Sequence, residues 1–198
     1  MKKILLIGDS IRFGGAPNSP GYGVIVKEKL ENVVEVYAPK ENCRFAQYIL
    51  RYLHEWSTAF PKEEIDVVHF NCGLWDVLRL LGDEPFSEIN NYGETLQRIC
   101  KRIKLLFPKA KIIFALTTNV KEEWGFADFF RKNCDVEAYN QKAIEVLAPM
   151  GVYFNDLYAL TKDFDDGLRA DWVHFNENGC KVLADAVIKK CFEVIDEK

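Results

Sequence analysis

Ser10, Asp171 and His174 are the residues whose types and placement could carry chemistry: a hydroxyl nucleophile, a base, and an acid to orient that base. Ser10 closes the triplet Gly8-Asp9-Ser10, directly after the aliphatic run Lys3-Ile4-Leu5-Leu6-Ile7. A serine hydroxyl attacks poorly unless a neighbour takes its proton, and an imidazole is suited to that because its pKa lies near neutral pH. His174 ends the segment Asp171-Trp172-Val173-His174. Within one turn of chain, Asp171 can accept from the second ring nitrogen, fix the tautomer and stabilise the imidazolium. Two other histidines exist: His69 falls inside a strand pattern, and His54 falls on a surface-helix pattern. Each motif also has a structural reading. Gly-Asp-Ser after a strand is a good turn and helix-capping sequence, and Asn176 or Asn178 after His174 can cap a helix.

The elements that must bring Ser10 and His174 together read as an α/β alternation. Five short runs rich in β-formers are expected as strands: Ile4–Gly8, Val33–Tyr37, Val67–Asn71, Lys111–Leu116 and Val152–Asn155. Amphipathic segments between and after them predict helices over Tyr22–Glu31, Phe45–Ser57, Tyr92–Phe107, Val136–Ala148 and Gly179–Val194. In the last helix Val182, Leu183, Ala186, Val187 and Ile188 are expected to form the stripe that docks on the sheet. Strands alternating with helices give a parallel sheet covered on both faces. Right-handed crossovers favour the doubly wound order 2-1-3-4-5 in a flavodoxin-like three-layer α/β/α sandwich. Its ligand crevice lies between strands one and three, beyond their carboxyl ends, where Ser10 and Asn71 fall.

With these motifs and elements in place, the chain resembles the SGNH, or GDSL-type, hydrolase superfamily. Gly8-Asp9-Ser10-Ile11 is similar to its first block and Asp171-x-x-His174 to its last, at the expected ends of the chain. The resemblance implies an esterase or lipase-like acyl hydrolase working through Ser10, His174 and Asp171 without metal or cofactor. The middle blocks depart from the pattern. After the second strand the chain reads Pro39-Lys40-Glu41-Asn42-Cys43-Arg44, so a backbone oxyanion donor is expected from Asn42 or Cys43. After the third it reads Asn71-Cys72-Gly73-Leu74-Trp75-Asp76, with Trp75 where the superfamily places its oxyanion Asn. Asn71 is expected to take over, sharing the oxyanion with the Ser10 and Cys43 amides. The segment resembles a branch with Asn-x-Gly-Leu-Trp-Asp as third block, which Arg12 and Phe13 also fit. The alternative structural role for Asn71 is to tie down the turn.

Three segments read as irregular inserts: Gly14–Gly21, Gly82–Asn91 and Thr117–Cys134. The last carries Trp124, Phe126, Phe129, Phe130 and Arg131, too aromatic for an idle solvated loop, and is expected to be a substrate rim or a patch for a second subunit. Asn42, Trp75 and Trp124 are candidate substrate contacts, with burial in the core as the other reading for Trp75.

Composition narrows the rest. A chain of 198 residues fits one α/β domain spanning 1–198, and a net charge of −4 gives no footprint for nucleic acid and disfavours anionic membranes. The start has too short an apolar run for an export signal, and no stretch is apolar enough to span a bilayer. A cytoplasmic protein with its six cysteines reduced is therefore expected. Cys43 and Cys72 lack a His at ligand spacing, so no metal site is expected. The favoured substrate is a small-molecule or carbohydrate ester with a short acyl group. A thioesterase or lysophospholipase-like hydrolase is the first alternative, and a non-catalytic flavodoxin-like binding module the second.

Overall fold

The computed structural model describes residues 1–197, and its architecture follows from where the apolar runs lie. Strand β1 (Lys2–Ile7) alternates its side chains: Ile4 and Leu6 enter one core cluster while Leu5 and Ile7 enter another. It is flanked in parallel by β2 (Val34–Tyr37) and β3 (Val67–Phe70), and β5 (Lys111–Ala115) and β7 (Tyr153–Asn155) extend the sheet beyond β3. The resulting order, β2-β1-β3-β5-β7, is the expected 2-1-3-4-5 arrangement of the five main strands. It puts the Ser10 and Asn71 loops side by side, because β1 and β3 are neighbours paired from Ile4↔Val67 to Ile7↔Phe70.

On one face pack α3 (Ala46–Ser57), α4 (Ile89–Leu106) and α5 (Asn133–Leu147), burying Ile49, Leu53, Leu96, Ile99, Ile103 and Ala143 against Val68, Phe70 and Phe114. On the other lie α2 (Tyr22–Lys29), the short α6 (Leu157–Thr161) and the long α7 (Glu177–Asp196). Burying the five Leu and Ile side chains among these supplies on the order of 10 kcal/mol of gross hydrophobic driving force, at about 1.5–3 kcal/mol each. The expected stripe of α7 is turned from its predicted position. Leu183, Ala184, Val187, Cys191 and Val194 are buried, whereas Val182 faces solvent. Helical periodicity continues through the two cysteines at 180 and 191, which act here as small buried hydrophobes.

Two expected inserts are more ordered than their composition suggests. Phe129–Phe130 of the third insert form β6, which pairs antiparallel with β4 (Arg79–Leu80) beside the second insert, in a small separate sheet. Asp9 caps a four-residue helix α1 (Ser10–Phe13) by accepting from the Ile11 N–H at 2.9 Å. Strand and helix ends otherwise move by one to three residues from expectation, as in α4, where Glu88 accepts from the Asn90 and Asn91 amides and starts the helix three residues early. All six cysteines are free thiols. Among the described residues no helix is long and apolar enough to cross a membrane.

Candidate active site

Ser10 stands at the first turn of α1, just beyond β1, and His174 comes to it from the opposite end of the chain. The last loop is fixed from both sides. Asn176, only two residues past His174, caps α7 by accepting from the Asn178 and Gly179 amides. Gly179 permits this close seating, since a Cβ there would lie 2.3 Å from the Leu168 carbonyl oxygen. The Ser10 hydroxyl donates to His174 Nε2 at 2.8 Å, and His174 Nδ1–H donates to Asp171 Oδ2 at 2.7 Å. This tautomer is assigned from the acceptor, because an ionised carboxylate can only accept. Asp171 Oδ1 also accepts from the Val173 and His174 amides, each at 2.7 Å.

These bonds decide the charge of Asp171. Burial pushes its carboxyl up, but hydrogen bonds from the His174 ring and from the His174 and Val173 amides together outweigh that and hold it down to about 2. An Asp171 ionised at neutral pH keeps Nε2 unprotonated towards Ser10 and can stabilise the imidazolium once the serine proton has moved. Gly15 closes the near side. A Cβ at this position would lie 2.5 Å from His174 Nε2 and 2.7 Å from Ser10 Cβ, so only glycine allows the first insert to cross so near.

The two expected oxyanion donors outside Ser10 fare differently. The Cys43 amide donates to the Gly8 carbonyl at 3.0 Å, a bond that ties the β2 loop to the end of β1, so it is not free for a substrate and that expectation is corrected. The Asn71 side chain is held at both ends. Its Oδ1 accepts from the Tyr22 hydroxyl at 2.7 Å, and its Nδ2 donates one hydrogen to Asp9 Oδ1 at 2.8 Å. An amide nitrogen carries two hydrogens, so one donor remains beside the Ser10 loop. Asp9 itself is fully buried. Burial raises its pKa, while the Ile11 amide, the Asn71 amide, His174 and Arg131 act to lower it.

Of the candidate substrate contacts, the Asn42 side-chain oxygen closes a turn by accepting from the Arg44 amide at 2.9 Å. Arg44 occupies that turn with a φ of 53°. Trp75 is half-buried, and Trp124 is exposed with the Lys121 ammonium over its ring. His54 lies exposed on α3. The rival base His69 is fully buried in β3, pressed edge-on by Tyr22, with its Nε2 against the Asn155 amide at 3.2 Å. Burial lowers its pKa to about 3, so it stays neutral and out of reach of solvent.

Several residues of the site give no local signal in the chain. Tyr22, Gly15 and Trp172 are recognisable only once the loops have met. Arg12, marked by its place after Gly-Asp-Ser-Ile, fastens the first two loops together, donating to the carbonyls of Gly8 (3.3 Å), Pro39 (3.1 Å) and Glu41 (2.6 Å). The third insert also joins the site. The Lys121 amide donates to the Trp172 carbonyl at 2.8 Å, and Phe126 and Phe129 meet the Trp172 ring edge-on. A cleft of about 760 Å³ lies between Ala16–Pro20, α2 and the first turn of α7 and includes Asn176, two residues past His174; Ser10, Asp171 and His174 are not part of its lining.

A serine, imidazole and carboxylate in hydrogen-bonded series beyond the carboxyl ends of a parallel sheet define a serine hydrolase arrangement of the flavodoxin-like type. The chain belongs to the GDSL-like Lipase/Acylhydrolase family, whose model matches residues 6–182, and it is accordingly a hydrolase of ester bonds. Among curated proteins no sequence match is found. Solved structures share the fold at low identity. The lipase/acylhydrolase of Enterococcus faecalis superposes with a TM-score of 0.73 at 22% identity, covering 96% of this chain and 95% of that one. The acetyl xylan esterase AlAXEase gives 0.72 at 16%, covering 95% and 98%. A family 3 carbohydrate esterase of Clostridium thermocellum gives 0.71 at 18%, covering 98% and 96%.

Proposed function

We propose that the protein is a serine esterase that removes short acyl groups, acetyl foremost, from a carbohydrate or small-molecule ester through an acyl-enzyme. The observation that carries this reading is the series Ser10 Oγ to His174 Nε2 to Asp171 Oδ2, at 2.8 and 2.7 Å. In the reaction His174 takes the Ser10 proton as Oγ attacks the ester carbonyl. The Ser10 amide and the remaining Asn71 N–H hold the developing oxyanion, and protonated His174 then gives its proton to the departing alcohol. Water, deprotonated by His174, releases the acid and restores Ser10.

A short acyl group is supported by crowding at the nucleophile: Gly15 passes so close that a Cβ there would lie 2.7 Å from Ser10 Cβ. The cleft that includes Asn176, two residues past His174, offers room for a larger alcohol portion, with Asn18 and Asn178 also in its lining. Structural neighbours that are an acetyl xylan esterase and a carbohydrate esterase point the same way.

A fluorophosphonate probe tests the activated serine. Stoichiometric modification at Ser10, lost in Ser10→Ala, is expected; an unmodified Ser10 in the folded protein returns the chain to the binding-module reading. Hydrolysis of acetylated sugars set against acyl-CoA thioesters then decides between the esterase and a thioesterase.

A further inference from the structure

Arg131 is a buried cation that the mechanism above does not use. It lies in the third insert, directly after β6, with only 4% of its surface exposed. Its Nε donates to the Leu74 carbonyl in the loop after β3, and its guanidinium lies over the rings of Trp172, at 5.1 Å, and Phe129, at 5.5 Å. Those contacts tie it to two loops of the site, Asn71–Asp76 and Asp171–His174. Asp9 and Asp171 both attract it, yet it forms no ion pair among the described residues, and its two terminal NH2 groups have no partner there. Burial lowers its pKa only to about 10, so it is charged at neutral pH.

An unpaired buried guanidinium is costly to keep, and the stacking on Trp172 offsets only part of that cost. The other buried arginines serve the loops: Arg12 donates to three loop carbonyls with its Nε left over, and Arg169 donates to Asn119 through Nη2 with its Nε and Nη1 left over. Arg131 keeps a planar face and two terminal NH2 groups of the kind that match a carboxylate, stacked on Trp172 of the His174 loop and within the attraction of Asp9 and Asp171.

We propose that Arg131 is an anion receptor of the active site, and that the ester the enzyme takes carries a carboxylate close to its scissile bond. The proposal rests on the esterase reading and narrows its substrate class to acyl esters of acidic alcohols, among them sugar acids. The carboxylate docks on the terminal NH2 groups, the ester carbonyl sits at Ser10, and the charge of Arg131 is neutralised on binding. Asp9 and Asp171, which hold the guanidinium at a distance without pairing to it, keep it oriented in the empty site.

The test compares 3-acetoxybenzoate with 3-acetoxybenzamide, two acetyl esters of one shape that differ in charge, on the unaltered protein and on Arg131→Lys and Arg131→Met. The unaltered enzyme is expected to favour the benzoate in kcat/KM. The benzoate-to-benzamide ratio should fall about 10- to 100-fold in Arg131→Met, the scale of one lost charged hydrogen-bond pair, and by less in Arg131→Lys. Equal use of the two esters by the unaltered enzyme overturns the proposal, as does an equal loss on both in the variants, which is what a purely structural stacking role produces. Fluorophosphonate labelling of Ser10 runs in parallel. An unlabelled Ser10 with neither ester cleaved is failure of the esterase reading itself. If Ser10 labels but neither ester turns over, slower labelling with 3-hydroxybenzoate than with 3-hydroxybenzamide upholds the receptor, and equal rates reject it.

Discussion

The Tyr22 hydroxyl, donated to Asn71 Oδ1 at 2.7 Å, fixes which way the Asn71 amide faces. With the oxygen engaged by Tyr22, the nitrogen must point to the Asp9 side, where it donates to Oδ1 and keeps one hydrogen in reserve. Tyr22 is fully buried on α2, so the orientation is set by the core and not by the loop that carries Asn71. Removing the amide in Asn71→Ala is expected to lower kcat by about 10² to 10³, the cost of one lost oxyanion donor, with a smaller change in KM. Tyr22→Phe should lower kcat less. Steady-state kinetics on p-nitrophenyl acetate separates the two; an Asn71→Ala enzyme with undiminished kcat restricts Asn71 to tying down its turn.

Ser10→Ala and His174→Ala are each expected to reduce kcat by roughly 10⁴ to 10⁶, whereas Asp171→Asn, which keeps the shape but inverts the tautomer preference, should cost about 10⁴. The two losses at Ser10 and His174 should not add in the double variant. His54→Ala serves as the control, since that ring is exposed on α3, and full activity is expected there.

Acid sensitivity has a definite window. Asp171 is held at about 2 in the folded protein against an ordinary 3.8, so its contribution to stability is present above pH 4 and is lost as the pH falls towards 2. Thermal melts should therefore show the unaltered protein and Asp171→Asn converging over that interval. A gap between them that persists at pH 2 would be inconsistent with an ionised, hydrogen-bonded Asp171.

Asp76 behaves in the opposite sense. It is fully buried and raised to about 7 by that burial, against the bonds it accepts from Ser87 Oγ at 2.8 Å and from the Ala46 amide at 3.2 Å. Between pH 4 and 7 the folded state holds a proton that the unfolded state does not, so stability should decline as the pH rises through this range. Asp76→Asn, neutral at every pH, is expected to flatten the decline. Urea melts at pH 5 and pH 8 measure it, and identical slopes for the two proteins would contradict a protonated Asp76.

Gly15→Ala introduces a methyl group 2.5 Å from His174 Nε2, so the imidazole must shift. A displacement of about 1 Å at a reacting group costs on the order of 10² in rate. Activity should drop by that factor with the melting temperature little changed, because the clash is met by a side chain at the mouth of the site and not by the core.

The parts of this molecule that could be read from its residues are those encoded locally. Gly8-Asp9-Ser10 follows its strand within the same ten residues, and Asp171 and His174 share one turn, so both motifs appear in the chain as they appear in space. The sheet order was legible because the five strands of the main sheet are short apolar-rich runs separated by amphipathic segments, a pattern that a doubly wound sheet satisfies. The Cys43 amide could not be placed this way: whether it faces substrate or Gly8 depends on how the β2 loop settles against the end of β1, a register that no single segment contains. Asn71 likewise depends on Tyr22, 49 residues earlier. Arg131 looked like one charge in an aromatic insert, and its lack of an ion pair emerged only from what surrounds it.

The pairing of β4 with β6 has a consequence for how such a site can diversify. Arg79–Leu80 and Phe129–Phe130 lie about fifty residues apart in the chain but share one ribbon, and the second of these strands leads into Arg131 and its stack on Trp172. Lengthening or shortening either insert alone would strand its partner's edge and pull on the loop that carries His174. Drift in the substrate rim is therefore coupled across two distant stretches of gene, and grafting a new rim onto this scaffold calls for exchanging both stretches as one cassette.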